Sequence, residues 1–270
     1  MITRLSDDVS LSDIKPPEHG ISYESWRLPA NKMQVIMKYV ASCSGGKDSV
    51  AMVLGLVEKE LPLDYVVMVD LGKEFDCIYR VWGRLCAYLD SKGIRHIKLQ
   101  PEKSFDYYFS EHEVTERKGG THRGYSWCGG RCRWGTAMKK QLLNRFYSAT
   151  FKAEPICEYV GIAADERERA TIKRAGNIKQ YPLILWGMTE NDCLIKCYRA
   201  GYRWIEGSIN LYDVLGRVSC YCCANKNLGE CGAMIKYLPD YWQKIKGMET
   251  KLGKPYKDIG TRGIEEKVGT

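Results

Sequence analysis

The stretch Ser44-Gly45-Gly46-Lys47-Asp48-Ser49 limits what this chain can fold into more than any other. It follows Lys38-Tyr39-Val40-Ala41-Ser42-Cys43, a short apolar run that reads as a buried strand. It precedes apolar residues at Val50, Val53, Leu54, Val57 and Leu61, the spacing of one helix face. A strand, a glycine-serine turn and a helix N-terminus together make a phosphate site. The glycines let the backbone approach an anion, and the free N–H groups and the helix dipole favour negative charge. Ser44, Lys47 and Ser49 add side-chain donors. The G-x-x-x-x-G-K-[ST] spacing of a Walker A loop is absent.

The totals narrow the class. A chain of 270 residues buries a full core, as one large domain or one domain plus an appendage. Its longest apolar run, Val50 to Val57, is too short to span a bilayer. The N-terminus shows no apolar leader segment, so a cytoplasmic location is expected. Twelve cysteines in a reducing compartment point to metal binding or catalysis rather than a disulfide framework. The four histidines, His19, His96, His112 and His122, are too few for a histidine-rich metal site. A formal charge of +8 suits an anionic partner: a nucleotide, a sulfonucleotide or nucleic acid.

Residues 1–36 read as a polar N-terminal extension broken at Pro16-Pro17, with Trp26, Leu28, Met33 and Ile36 packing on the core. Residues 37–215 read as a nucleotide-binding domain and 216–270 as a cysteine-containing C-terminal helical region. Further strands are expected at Tyr65–Asp70, Ile94–Leu99 and Cys157–Ile162, with an edge element from Asn177 ended by Pro182. Helices are expected over 75–89, over 136–148, from the cap at Thr189 to near Gly201, and over 239–252, after which the tail fades into charge. Residues 101–134 read as one long irregular loop, the kind that carries function. Cys86 sits on an apolar helix face with Cys77 at its edge. Cys193 and Cys197 share a face, and packing suits them better than ligation. His96 reads as structural. Strands alternating with helices predict an α/β fold: three layers, α/β/α, around a mostly parallel five-stranded sheet. Ligands bind at the carboxyl ends of such strands, where the glycine loop and Asp70 both lie, so both are expected in one crevice.

Five segments in order carry a family resemblance. Ser44 to Ser49 resembles the PP-loop of the ATP pyrophosphatase superfamily. Asp70-Leu71-Gly72-Lys73-Glu74-Phe75, Gly161 to Arg169 (G-I-A-A-D-E-R-E-R), Tyr181-Pro182-Leu183 with Trp186, and Arg217-Val218-Ser219-Cys220-Tyr221-Cys222-Cys223 resemble segments of phosphoadenosine phosphosulfate (PAPS) reductases and their relatives. The resemblance spans about Val35 to Leu252. It implies the adenine nucleotide alpha hydrolase-like fold and chemistry at an α-phosphate, where a substrate oxygen attacks and pyrophosphate leaves. It implies nucleotide contacts from Ser42, Ser44, Gly45, Gly46, Lys47, Asp48, Ser49, Asp70, Gly161, Glu166 and Arg169. Lys47 would offset the charge of the departing pyrophosphate. Asp48 or Asp70 would hold Mg²⁺, a hard cation that prefers carboxylate and phosphate oxygens. Asp70 also reads as a solvated strand-end carboxylate, and Glu166 with Arg169 as a surface ion pair.

Cysteines form the second constellation. Cys128 and Cys132 lie in the long loop, and Cys220, Cys222 and Cys223 follow much later, with Cys231 beyond. Two thiol pairs, Cys128/Cys132 and Cys220/Cys223, close four ligands around one metal centre, with Cys222 and Cys231 as less favoured members. Relatives with this arrangement carry a 4Fe–4S cluster, and structural zinc is the rival. Where many relatives read R-W-C-T, this chain has Arg133-Trp134-Gly135-Thr136. Glu230-Cys231-Gly232 resembles the E-C-G-x-H of PAPS reductases, but Ala233-Met234 replaces the rest. Arg123, Arg131, Arg133, Lys139, Lys140 and Arg145, interleaved with Tyr125, Trp127 and Trp134, suit a sulfonucleotide, a phosphate backbone or stacked bases, or form a solvated helix face. The expected activity is ATP-dependent adenylation serving Fe–S-dependent sulfur transfer to a nucleic acid or small molecule, with a sulfur-donor protein as a possible partner and the oligomeric state open. The alternatives are a sulfonucleotide (PAPS/APS) reductase with Cys231 as nucleophile, and a non-enzymatic Fe–S or zinc module that binds a nucleotide or nucleic acid.

Overall fold

The computed structural model describes residues 9–10, 37–116, 119–130, 132–152, 154–172 and 178–269. The expected packing of Trp26, Leu28, Met33 and Ile36 lies outside these residues, as do Arg131 and Asn177. The chain divides into two compact units. The first comprises Met1–Met68, Tyr88–Ile97 and Tyr147–Gly201, and the second Val69–Ala87, Lys98–Phe146 and Tyr202–Thr270.

The first unit is built on the expected α/β sheet. Its strands are β1 (Lys38–Ser42), β2 (Tyr65–Val69), β3 (Arg95–Leu99), β4 (Ile156–Val160) and β5 (Ile178–Gln180). They lie in the order β3-β2-β1-β4-β5, and the sheet is parallel throughout. The central β1 pairs with β2 on one side and β4 on the other, so Ser42 stands opposite both Val67 and Val160. The chain turns one way out of β1 into β2 and returns past β1 to reach β4. A glycine loop leaving β1 therefore opens at the sheet's topological switch point, where doubly wound folds bind ligands. Helix α1 (Lys47–Glu58) buries Val50, Met52, Val53, Leu54 and Leu56. The indole of Trp186 lies on its Gly55: a Cβ added there would stand 2.5 Å from the ring. Tyr181 and Pro182 do not simply end β5. Pro182 occupies the first turn of a short helix, Pro182–Leu185, where its missing N–H costs nothing.

Helix α2 (Asp76–Ser91) carries the 3–4 spacing expected of it, although its cysteines sit the other way about. Cys77 is fully buried, because the carboxylate of Glu206 accepts from its backbone N–H, whereas Cys86 is only half-buried. The second unit contains helix α3 (Arg133–Phe151) up to Phe146. The stretch 101–134 is not one irregular loop. Ser104 caps a short helix, Phe105–Ser110, by accepting from the Tyr107 N–H, and Glu113–Thr115 pairs antiparallel with Thr121–Arg123. Gly119 and Gly120, at φ 89° and 99°, help reverse the chain between those strands.

In the first unit, helix α4 (Glu190–Arg199) starts with the anticipated capping box, in which Thr189 and Asp192 satisfy each other's backbone N–H. Cys193 and Cys197 are fully buried on its inner face, as packing residues. The second unit ends in α5 (Leu228–Tyr237), α6 (Pro239–Leu252) and α7 (Gly260–Val268). The tail thus does not fade. Gly253, in the left-handed region at φ 66°, stops α6, and α7 follows with Ile264 buried. Phe75, Tyr221 and Tyr241 form an aromatic cluster in this unit, with ring centroids 4.8–6.3 Å apart. No helix among the described residues is long and apolar enough to cross a membrane.

Candidate functional site

In the first unit the glycine loop folds around one hydroxyl. Ser49 Oγ donates to the Gly46 carbonyl at 2.9 Å and accepts from the Ser44 N–H at 3.1 Å. Its single proton is therefore spent on the loop, and the side chain is buried. Ser49 shapes the loop, and the exposed Ser44 hydroxyl lies 3.2 Å from the Ser49 hydroxyl, to which it donates. Gly45 adopts φ 78°, which a side chain would resist. Gly161 has a similar steric role at the end of β4. A Cβ there would stand 2.9 Å from the Ser49 Cα, so its glycine lets β4 end against the first turn of α1. Ser42 donates to the carboxylate of Glu158 at 2.8 Å.

Lys47 is the first residue of α1 and is 7% exposed. Its ammonium lies 3.0 Å from Asp48 Oδ1 and 2.8 Å from Glu190 Oε2. Burial lowers its pKa, but the pairs with Glu190 and Asp48 outweigh burial and leave it above the usual lysine range. Burial raises Asp48, with Glu190 and Glu166 adding to the rise and Lys47 opposing it. The Asp165 carboxylate accepts from the Glu190 N–H at 3.0 Å, joining the start of α4 to the turn Ala164–Arg169. On that turn Glu166 pairs with Arg169, as one of its sequence readings had it, and Arg169 also feels Asp48 and Glu190. Three carboxylates and two cations thus surround the loop's mouth. Glu190 was not among the residues expected there. It stands 143 positions from Lys47, and only folding reveals the pair.

The second unit holds Asp70 and the thiols. Asp70 is not solvated: it is 2% exposed and accepts from Tyr79 Oη at 2.9 Å, Gln100 Nε2 at 3.0 Å and the Gly72 N–H at 2.7 Å. Replacing it with alanine removes the shared acceptor of the half-buried Tyr79 hydroxyl and of the exposed Gln100 amide and Gly72 N–H. Asp70→Ala is therefore expected to lose about 1–2 kcal/mol of stability in urea titrations, whether or not nucleotide is present.

Cys132 immediately precedes α3. Its thiol is drawn down to about 6, first by a hydrogen bond with Cys128, then by the N–H groups of Gly135 and Thr136 and by Lys139, against the opposing effect of burial. Cys220 is pushed up to about 12 by burial and by Glu74, with Lys139 opposing. It donates to Glu74 at 3.6 Å, while Lys139 pairs with the same carboxylate at 3.0 Å. Cys132 and Cys223 both act electrostatically on Cys220. Cys222 is 5% exposed, and burial raises its pKa. Cys231 is fully buried in α5, and burial raises its thiol too.

Asn225 joins the two thiol-bearing segments. Its amide accepts from the Gly130 N–H at 2.6 Å and donates to the Gly130 carbonyl at 2.7 Å. An exposed asparagine offers no sequence signal for such a clamp. Asn225→Ala is expected to cost about 1–2 kcal/mol of stability, measured by calorimetry.

No three His, Cys, Asp or Glu side chains among the described residues are close enough together to hold a single metal ion. Tetrahedral zinc requires four donors about 2.3 Å from one centre. A 4Fe–4S cluster places its thiolates on separate irons and accepts a wider spread. Cys128 lies within hydrogen-bond reach of Cys132, and the Cys223 N–H donates to the Cys220 carbonyl, so each pair is drawn together locally.

The basic and aromatic set does not act as one surface. Lys139 is committed to Glu74, and Trp127 donates its indole N–H to the Lys254 carbonyl and packs on Phe109 and Tyr256. Arg123, Lys140 and Arg145 are exposed. The side chains of Arg131, Arg133 and Trp134 are outside the described residues.

No protein-family model matches the sequence, and a search of curated proteins finds no relative. Among solved structures the chain is similar to the U34-tRNA thiolase NcsA from Methanococcus maripaludis with its [4Fe–4S] cluster. The identity is 15% and the TM-score 0.42, over 86% of this chain and 72% of that one. A likeness of that degree fixes neither substrate nor cofactor.

Proposed function

We propose that the chain binds ATP at the Ser44–Ser49 loop and cleaves it to pyrophosphate and an adenylated substrate, in the service of sulfur transfer to a nucleic acid or small molecule. The observation that carries the reading is Lys47 at the first position of α1, beside a strand-end glycine loop at the sheet's switch point. Loop N–H groups and Lys47 stabilise the charge that develops on the leaving pyrophosphate. A substrate oxygen attacks the α-phosphorus, the bond to the bridging oxygen breaks, and pyrophosphate carries that electron pair away. Sulfide from a donor then displaces AMP, which leaves with the substrate oxygen.

Bringing a triphosphate to a mouth that already holds three carboxylates and two cations requires added positive charge. Asp48 would hold Mg²⁺, which would supply that charge, and Lys47 would exchange its pair with Glu190 for the phosphates. Asp70 is saturated by protein donors, so we assign it to fixing the end of β2 rather than to the metal. Residues 37–215 carry the nucleotide in this reading, and 216–270 bring the second thiol group. Cys128, Cys132, Cys220 and Cys223 would hold a 4Fe–4S cluster, which when bound would supply the iron–sulfur chemistry of the transfer. Cys231 as a reductase nucleophile is disfavoured, because the thiol is fully buried.

The test is an anaerobic incubation with ATP, Mg²⁺, sulfide and total RNA or small-molecule acceptors, followed by mass spectrometry for exchange of oxygen by sulfur. ATP-dependent thiolation is expected. Sulfite release from PAPS without any thiolated product would replace this reading with the reductase.

A further inference from the structure

Gly135 lies in the first turn of α3, where alanine would favour the helix. A Cβ built on it would stand 2.6 Å from Cys132 Sγ and 3.9 Å from Leu71 Cδ1. An ordinary contact between such atoms is about 3.5–4.0 Å. The sulfur of Cys132 therefore fills the space that a side chain at position 135 would take. It is held there by the Cys128 thiol and by the N–H groups of Gly135 and Thr136. A side chain at 135 would require that sulfur to move.

We infer that Gly135 is the positioning residue for the Cys132 thiolate as a cluster ligand, and that a sulfur at this place can be supplied from either residue 132 or residue 135. The inference rests on the cluster reading above. The geometry makes it reciprocal. A Cβ at 135 would stand 2.6 Å from the place Cys132 Sγ now holds, so one rotamer of a cysteine there would aim its sulfur at that place. Cysteine at 135 is thus incompatible with Cys132 in its present position, yet able to replace it.

The experiment compares full-length proteins purified and reconstituted anaerobically with iron and sulfide. The readouts are iron per chain, the visible spectrum and far-ultraviolet circular dichroism. The wild type should load iron. Gly135→Ala and Cys132→Ala should each lower iron affinity by about tenfold or more. The double variant Cys132→Ala/Gly135→Cys should recover most of the loss. Gly83→Ala in α2 is the control, because nothing lies within 4 Å of the Cβ it adds, and it should load as the wild type does.

Should Gly135→Ala fail to fold, the double variant carries the test, since it removes the clashing sulfur. Wild-type loading of Gly135→Ala overturns the inference and leaves the cluster reading standing. So does a folded double variant that loads no better than Cys132→Ala. An iron-free wild type overturns both.

Discussion

Lys47→Ala should lower pyrophosphate release from ATP by about 10²–10³-fold, the loss expected when one preorganised charge at a developing oxyanion is removed. The ammonium is held by Asp48 and Glu190, so it is already aimed at the loop's mouth before nucleotide arrives. Removing it also leaves those two carboxylates near Glu166, with Arg169 still interacting with all three. Nucleotide affinity should therefore fall together with turnover. The fold should survive, because the loop is shaped by Ser49 and Gly46 rather than by Lys47. Glu190→Gln acts in the opposite sense. It releases Lys47 from a competing anion and should tighten ATP binding by a few-fold, about the worth of one partly exposed ion pair. Isothermal titration of both variants checks the pair of effects. Tight ATP binding that ignores Lys47→Ala would favour a non-enzymatic nucleotide-binding module.

Cys220→Ala should strip the iron centre while leaving the unit folded. The thiol touches Glu74, which keeps Lys139 as a partner when the sulfur is gone, so the cost to the metal-free protein should stay below about 1 kcal/mol. Iron per chain should fall by at least tenfold, with loss of the visible absorption. Cys222→Ala offers the contrast. That thiol is more deeply buried than Cys220 and lies beside Tyr221 of the aromatic cluster. Its loss should leave iron near the wild-type level and cost about 1 kcal/mol through the vacated volume. Reversed results for the two variants would reassign the ligand set.

The strand, loop and helix around Lys47 were legible because each follows a period: an apolar run, a glycine turn, then a helical stripe. The capping box at Thr189 and Asp192 was legible for the same reason, since both of its partners lie within three residues. The structure between 101 and 134 was hidden, because a six-residue helix and three-residue strands are too short to show a period. The partners that tune the candidate sites were hidden by distance along the chain. Glu190 meets Lys47, Glu74 meets Cys220 and Lys139, and Asn225 meets Gly130 only after folding. Asp70 was placed correctly at a strand end, yet its donors Tyr79 and Gln100, 9 and 30 residues on, could not be read from its neighbours in sequence. Gly135 stood out as a missing cysteine, and only the fold shows that the Cys132 sulfur occupies its place.

The most direct test of the central claim is the fate of the ATP phosphates, followed by ³¹P NMR in an anaerobic mixture of iron-loaded protein, ATP, Mg²⁺, sulfide and total RNA. The account predicts AMP and pyrophosphate, formed by the wild type and absent with Lys47→Ala. ADP with orthophosphate, or AMP and pyrophosphate formed equally well by Lys47→Ala, would contradict it.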